Sequence, residues 1–370
     1  MRIGIDARFY AEAGGIGRYT RELINELAKI DDINEYLIFV TSQGGELYQP
    51  QNARFIKVVV NIRWYSWQEQ IWWPLILYRQ KIDLMHFLHW NVPLFYFGTF
   101  LITVHDLILL RFPDRHASTL PAVFYWIKYL AHKLVLQSAI RRARKIFTPS
   151  EFVKNDLVEK LGTAEKKIIV TYEGVSSFCH SRGSGDPASQ SEPYLLYVGT
   201  AYPHKNLERL LEAFAILKKS WPKPLSLVLV GRDNYFYQRL KCLARKQYSD
   251  LPIIFLNEVS DAELADLYHN VSVFVFPSLS EGFGLPPLEA MAHNAPVLSS
   301  DASCLPEILG DAALYFDPYK PEDLAHKAEQ ILNDENLREK LIKNGLKQIQ
   351  TYSWQKCAQL TLAEYGLDII

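Results

Sequence analysis

Short, almost continuously apolar runs recur along this sequence, and stretches with helical periodicity separate them. In the first half these runs are IGIDA at 3–7, YLIFVT at 36–41, FIKVVV at 55–60, LMHFL at 84–88, FLITV at 100–104 and KIFTPS at 145–150. A strand covered on one face alternates apolar and polar side chains, whereas a strand covered on both has no such need, so these runs fit a parallel sheet between two layers of helices. Between the first two runs, Ile16, Tyr19, Leu23, Leu27 and Ile30 recur at three- and four-residue steps, the spacing of a helix that starts just after GGIG. The second half repeats the pattern with YLLYVG at 194–199, SLVLVG at 226–231, IIFLNEV at 253–259, VFVFPS at 273–278, PVLSS at 296–300 and ALYF at 313–316. The expected fold class is therefore α/β, with two doubly wound parallel-sheet domains facing a central cleft. Residues 1–175 make the first domain and 194–352 the second. Between them, SSFCHSRGSGDPASQSEP at 176–193 is rich in Ser, Gly and Pro and has no apolar period, so it reads as the linker. The last helical stretch, 353–370, is expected to return to the first domain.

The length supports this division, because 370 residues exceed one ordinary domain and let each half bury a core. With 49% apolar and 22% charged residues and a formal net charge of -1, nothing in the composition points to disorder or to a nucleic-acid partner. Cys179, Cys242, Cys304 and Cys357 lie far apart and form no CxxC pair, so neither a disulfide framework nor a zinc site is indicated and a reducing compartment is the simpler reading. Asp6 interrupts the N-terminal apolar stretch where a signal peptide needs an unbroken core, which places the protein in the cytoplasm. The most apolar run, 92–104, is too short to argue for a membrane span and fits buried strands.

Open parallel sheets bind ligands beyond the carboxyl ends of their strands, so the residues that follow each run carry the functional reading. In PSLSEGFGLPPLEAMAHNAPVLSS at 277–300, Glu281 opens a glycine-bearing loop, and Pro286 and Pro287 start a helix with Glu289 expected in its first turn. Gly282 and Gly284 let backbone amides approach a ligand, and the helix start favours an anion. In an arbitrary sequence, the same two carboxylates would be a helix-start preference and a solvated side chain. In VGTAYPHKNLERLLEAF at 198–214, Lys205 stands between a strand and a helix, placed to meet a diphosphate; a lone lysine there is also a common surface residue. AEAGGIGRYTREL at 11–23 turns on Gly14, Gly15 and Gly17 directly into a helix. It reads G-x-G-x-x-T from Gly15 to Thr20, and eight residues separate it from its strand, so it fails as a dinucleotide fingerprint. His105 and Asp106 end the run 100–104; a buried, hydrogen-bonded histidine is the plain alternative to a functional one.

Taken together, these segments resemble family 4 of the retaining glycosyltransferases, whose E-x7-E signature matches Glu281 to Glu289 and whose two Rossmann-like domains make the fold called GT-B. The resemblance covers nearly the whole chain. It implies that Glu289 binds the ribose hydroxyls of a nucleotide and that Glu281 contacts the transferred sugar near its anomeric carbon. It implies further that the amides of Phe283, Gly284 and Leu285 hold sugar hydroxyls and phosphate, with Gly282 also in the donor site, that Lys205 stabilises the departing diphosphate, and that His105 assists catalysis. Gly15 and Gly17 would line the donor phosphate, with Thr200, His204, Arg232 and Val259 as further donor contacts. The sequence departs from the family where an arginine often precedes the lysine: Thr200 and His204 stand there, and Arg232, just after its strand, is the candidate second cation.

No cofactor and no metal are expected, since the chain has no Asp-x-Asp, no HExxH and no Cys/His cluster, and Lys205 with two helix starts would do a metal's electrostatic work. The implied partners are a nucleotide sugar as donor substrate and a saccharide or lipid-linked saccharide as acceptor. DAR near the start, GGIGRYT, VHDL and the HKN loop look most like mannosyltransferases that use GDP-mannose for bacterial surface polysaccharides, with a UDP-hexose donor as the alternative. The rivals from other classes are a nicotinamide-dependent oxidoreductase and a non-catalytic two-lobed sugar-binding protein. Finally, residues 111–145 hold Arg111, Arg115, Lys128, Lys133, Arg141, Arg142, Arg144 and Lys145 against one acid, Asp114, interleaved with Phe124, Tyr125, Trp126 and Tyr129. That composition suits peripheral docking on an anionic membrane as well as it suits a solvated basic helix with its aromatics on the core.

Overall fold

The computed structural model of the chain describes residues 1–12, 14–112, 122–175, 192–257 and 259–366. It divides into two compact units, Met1–Gly174 with Ser353–Ile370, and Val175–Tyr352. Most of the expected linker, 176–191, lies outside the described residues, as do Asp114, Arg115, Cys179 and 367–370.

Among the described residues, the first unit holds seven parallel strands: β1 Arg2–Asp6, β2 Glu35–Val40, β3 Phe55–Val59, β4 Leu84–Phe87, β5 Phe100–Thr103, β6 Ile146–Thr148 and β7 Ile168–Val170. Their order is β3-β2-β1-β4-β5-β6-β7, so the direction of winding reverses between β1 and β4. Register is continuous across that reversal, with Ile5 opposite both Ile38 and His86. Strands β4, β5 and β6 are buried at every position. On one face Leu37, Phe39, Met85, Phe87 and Ile102 join Trp73 and Leu77 of the helix Trp67–Arg79 in a single apolar cluster.

The second unit has β8 Tyr194–Val198, β9 Ser226–Val230, β10 Ile253–Leu256, β11 Val273–Phe276, β12 Val297–Ser300 and β13 Ala313–Phe316, all parallel, in the order β10-β9-β8-β11-β12-β13. Here winding reverses between β8 and β11. The two reversals are where doubly wound sheets open a crevice at their carboxyl ends.

Three details differ from the sequence reading. β7 is an additional strand; it pairs only with β6, and its apolar run, IIV, is three residues long and half-exposed, too short to stand out in the sequence. β10 stops at Leu256, which leaves Val259 three residues beyond the strand it was expected to end. The run 145–150 is a strand only at Ile146–Thr148, because Ser150 caps the next helix by accepting from the Val153 amide. The C-terminal helix Trp354–Gly366 belongs to the first unit: the Tyr365 hydroxyl meets Nδ1 of His86 at 2.7 Å.

Candidate functional site

In the second unit the loops after β8 and β11 lock together. The turn Pro203–Lys205 ends in Asn206, which is left-handed at φ 62°, a conformation asparagine tolerates better than most residues. Its buried amide donates to the carbonyls of Pro277 and Pro318 at 3.1 and 2.8 Å, and the Leu279 amide donates to the His204 carbonyl at 2.8 Å. These bonds explain locally why Lys and Asn occur together: the asparagine fixes the turn that aims the lysine. Lys205 Nζ lies 2.6 Å from Oε1 of Glu281, and both side chains are largely buried. The Glu281 amide donates to Ser303 Oγ at 3.0 Å. An ammonium and a carboxylate thus form one close pair at the reversal of the sheet, each serving as the other's counter-ion.

Beyond Glu281 the chain is tightly constrained. Gly284 caps the helix Leu285–Ala292 at φ 96°, and a Cβ there would come within 2.9 Å of Leu305 Cδ2. Phe283 packs edge-on against Tyr352 at 5.3 Å, and its carbonyl accepts from Cys304 Sγ at 3.3 Å. At this helix start Pro286 and Pro287 have no N–H, so Gly284 and Leu285 are the residues with amides to offer there. Glu289 sits one residue further in than expected, just past the first turn, because the helix begins at Leu285. It is buried and accepts from the Tyr268 hydroxyl at 3.2 Å. Gly282 is buried in the same loop. Burial, with the Lys205 charge beside it, pushes the His204 imidazole down to about 4, so it is neutral near pH 7. Thr200 is half-buried and its carbonyl accepts from Tyr197; Arg232 and Val259 lie in the loops after β9 and β10, Arg232 exposed and Val259 half-buried.

In the first unit, Gly14 caps the helix Gly15–Ile30 at φ 103°. Of Gly15 and Gly17, only Gly17 is required by the fold itself, since a Cβ would stand 1.9 Å from the Glu12 carbonyl oxygen; at Gly15 it would meet nothing within 4 Å. His105, just beyond β5, is buried with both ring nitrogens engaged: Nε2 lies 3.0 Å from the Leu88 carbonyl and Nδ1 3.4 Å from Oε1 of Glu173. A neutral imidazole can donate from one nitrogen only, and two acceptors face this ring. Tyr19 packs edge-on to it at 4.7 Å, and the Tyr19 hydroxyl begins a buried chain through Thr103 Oγ1 at 3.2 Å to Nε2 of His86 at 3.0 Å. Glu173 is a residue that the sequence reading missed. Its signal, a buried acid three residues beyond β7, was visible only once β7 was known. Among the described residues no three His, Cys, Asp or Glu side chains cluster as a metal site.

Comparison with known proteins places this geometry. Residues 13–177 match the family model described as Glycosyltransferase Family 4, and residues 185–348 match that described as Glycosyl transferases group 1. O-antigen chain mannosyltransferase B of Escherichia coli is 28% identical over 380 residues, covering 95% of this chain and 96% of that protein. O-antigen chain mannosyltransferase RfbU of Salmonella typhimurium is 33% identical over 233 residues, 62% of this chain and 59% of its own length. Among solved structures, WaaG, a glycosyltransferase involved in lipopolysaccharide biosynthesis, superposes with a TM-score of 0.77 over 100% of both chains at 15% identity. Sucrose-phosphate synthase from Thermosynechococcus elongatus gives 0.75 at 19% identity, over 99% of this chain and 98% of its own.

Proposed function

We propose that this chain, which belongs to glycosyltransferase family 4 and has the GT-B fold, moves a mannosyl residue from GDP-mannose to a saccharide acceptor of a surface polysaccharide, with retention at the anomeric carbon. The observation that carries this reading is the Lys205–Glu281 pair at the β8/β11 reversal, followed in the chain by a helix that buries Glu289. When donor binds, Lys205 exchanges part of its contact with Glu281 for the diphosphate, and Glu281 turns to the hydroxyls of the sugar. The bond from C1 to the diphosphate oxygen breaks while the acceptor hydroxyl oxygen bonds to C1 from the same face, and the acceptor proton passes to the departing phosphate. A fixed ammonium at that oxygen stabilises the transition state more than the ground state, because negative charge grows there as the bond breaks. Glu289, held by Tyr268, receives the ribose hydroxyls. Chelation leaves the reaction unaffected in this scheme. The choice of mannose follows the relatives named above, which are O-antigen mannosyltransferases.

The acceptor is lipid-linked in this reading, and the first unit meets it on an anionic membrane surface. Phe124 and Trp126, 64% and 48% exposed, and Leu130 project from the helix Ala122–Arg142 among Lys128, Lys133 and Arg141, while Tyr125 is buried. Trp67 and Trp72 are exposed on the helix Trp67–Arg79. No helix among the described residues is long and apolar enough to cross a membrane. Exposed aromatics beside lysines match an interfacial surface better than they match the core. Two measurements test the proposal. In a thermal-shift panel of GDP, UDP and NAD, GDP should stabilise the protein and Glu289→Ala should abolish the shift; stabilisation by NAD alone refutes the reading. Co-sedimentation with phosphatidylglycerol vesicles should occur and weaken with salt; its absence leaves a soluble acceptor.

A further inference from the structure

Asp6 and Arg8, at the end of β1, are buried, although charges are costly to remove from water. Arg8 forks onto Asp6 through Nε at 2.8 Å and Nη2 at 2.7 Å, and Nη2 also reaches Oε1 of Glu69 at 2.6 Å. The guanidinium lies 4.9 Å from the Trp73 ring centre. One cation therefore faces two buried carboxylates, and the second oxygen of Glu69 is spent on the loop outside: it accepts from Asn91 Nδ2 and from the Tyr65 amide, both at 2.7 Å. Tyr65 has φ 59°, a left-handed backbone that costs a bulky residue on the order of 1–3 kcal/mol. A buried charge network is holding a strained tyrosine in place.

That tyrosine does not turn inward. It is 40% exposed, and its ring centre lies 4.9 Å from that of His132 and about equally far from His89 and Trp90, at 6.1 and 6.0 Å. Trp64, next to it, leans on Phe9 at 4.6 Å. The imidazoles in this group are uncharged near pH 7: burial, with neighbouring positive charge, holds His89 down to about 3 and His132 to about 4. His89 Nδ1 accepts from the Asn91 amide at 3.3 Å, which leaves the proton of the neutral ring on Nε2, facing the Tyr65 hydroxyl at 3.5 Å. The rings stand at the carboxyl ends of β1 and β4, where the first sheet reverses. They adjoin the turn after β5, since Asp106 is near enough to raise the Tyr65 hydroxyl, after burial and Glu69, and His105 near enough to depress His89.

The chemistry of this wall selects its ligand. It offers ring faces edged by hydroxyl and imidazole hydrogen-bonding groups; Lys128, beside His132, brings one ammonium to its margin, and the Arg8 guanidinium is already paired with two carboxylates. Phosphates are disfavoured there, whereas a pyranose presents C–H faces with a rim of hydroxyls. We propose that Trp64, Tyr65, His89 and His132, backed by the buried Trp90, form a saccharide-binding wall that holds the acceptor sugar beside the His105–Asp106 turn, with the Asp6–Arg8–Glu69–Asn91 network as its positioning frame. This deepens the transferase reading and rests on it.

The test is saturation-transfer NMR of the full chain with α-linked mannotriose, run beside GDP binding. Wild type should show transfer to the sugar's ring protons. Tyr65→Asn, which tolerates the left-handed backbone, and Trp64→Ala should bind mannotriose about tenfold more weakly while GDP affinity stays unchanged. Wild-type-like sugar binding in both variants overturns the wall, as does a wild type that binds GDP but no mannotriose. A wild type that binds no nucleotide refutes the transferase reading instead, so the two failures are distinguishable.

Discussion

The contact between Lys205 and Glu281 can be probed by a double-mutant cycle of Lys205→Met and Glu281→Gln. At 2.6 Å and an effective dielectric constant of about 20, the gross attraction is about 6 kcal/mol. Desolvation cancels much of that, yet removing one partner leaves the other with its desolvation unrepaid, which costs about 3–5 kcal/mol for a fully buried pair. The side chains keep 17% and 11% of their exposure, so some water reaches an orphan, and Lys205→Met should cost about 2–3 kcal/mol. The double variant should recover much of this, giving a coupling of about 2 kcal/mol. Hydrogen exchange of peptides from β8 and β11 along a urea gradient reports the second unit separately, as whole-chain unfolding of two units would not. Activity should follow a different pattern: Lys205→Met and the double variant should both lose about 10²–10³ in turnover, because stability is restored without the ammonium that meets the diphosphate. Additive destabilisation, or turnover of Lys205→Met within about threefold of wild type, would refute the assignment of one side chain to both tasks.

Other consequences are open to direct measurement. Gly17→Ala should destabilise the protein by about 2 kcal/mol or more in thermal unfolding, because its Cβ meets the Glu12 backbone, whereas Gly15→Ala should leave stability unchanged and raise the donor KM. Glu173→Gln should lower kcat about tenfold with donor KM unchanged, since it alters only the partner of His105; an equal change in both parameters places Glu173 in binding. Stability should also depend on pH through buried neutral histidines. Burial holds His86 and His89 at about 3, and His132 and His204 at about 4, below the ordinary 6.5. As pH falls through 6.5 the unfolded chain takes up protons that the folded chain refuses, so stability present at neutral pH is lost progressively towards pH 4. Urea midpoints that stay flat from pH 7 to 4.5 contradict this.

Much of this organisation was legible because burial on both faces removes the need for alternation: FLI of β5 and VFVF of β11 are unbroken apolar runs in wholly buried strands. The helix Gly15–Ile30 was equally plain, because its apolar residues share one face. β7 was not, since a three-residue edge strand offers no pattern, and missing it hid Glu173 beyond its end. That Lys205 and Glu281 each follow a strand end could be read from the sequence; that the two neutralise each other required coordinates. The Arg8–Glu69 pair was beyond reach for another reason. Its partners are 61 residues apart, and nothing local in either segment announces the other.

The most direct test of the central claim is to follow GDP-α-mannose with the protein and an α-mannoside acceptor by proton NMR, reading the anomeric signal of the first product. The account predicts release of GDP with a new α-linked mannose, and loss of that signal in Glu281→Gln. A β-linked first product contradicts the retaining chemistry, and consumption of a UDP-hexose with GDP-mannose left intact contradicts the donor.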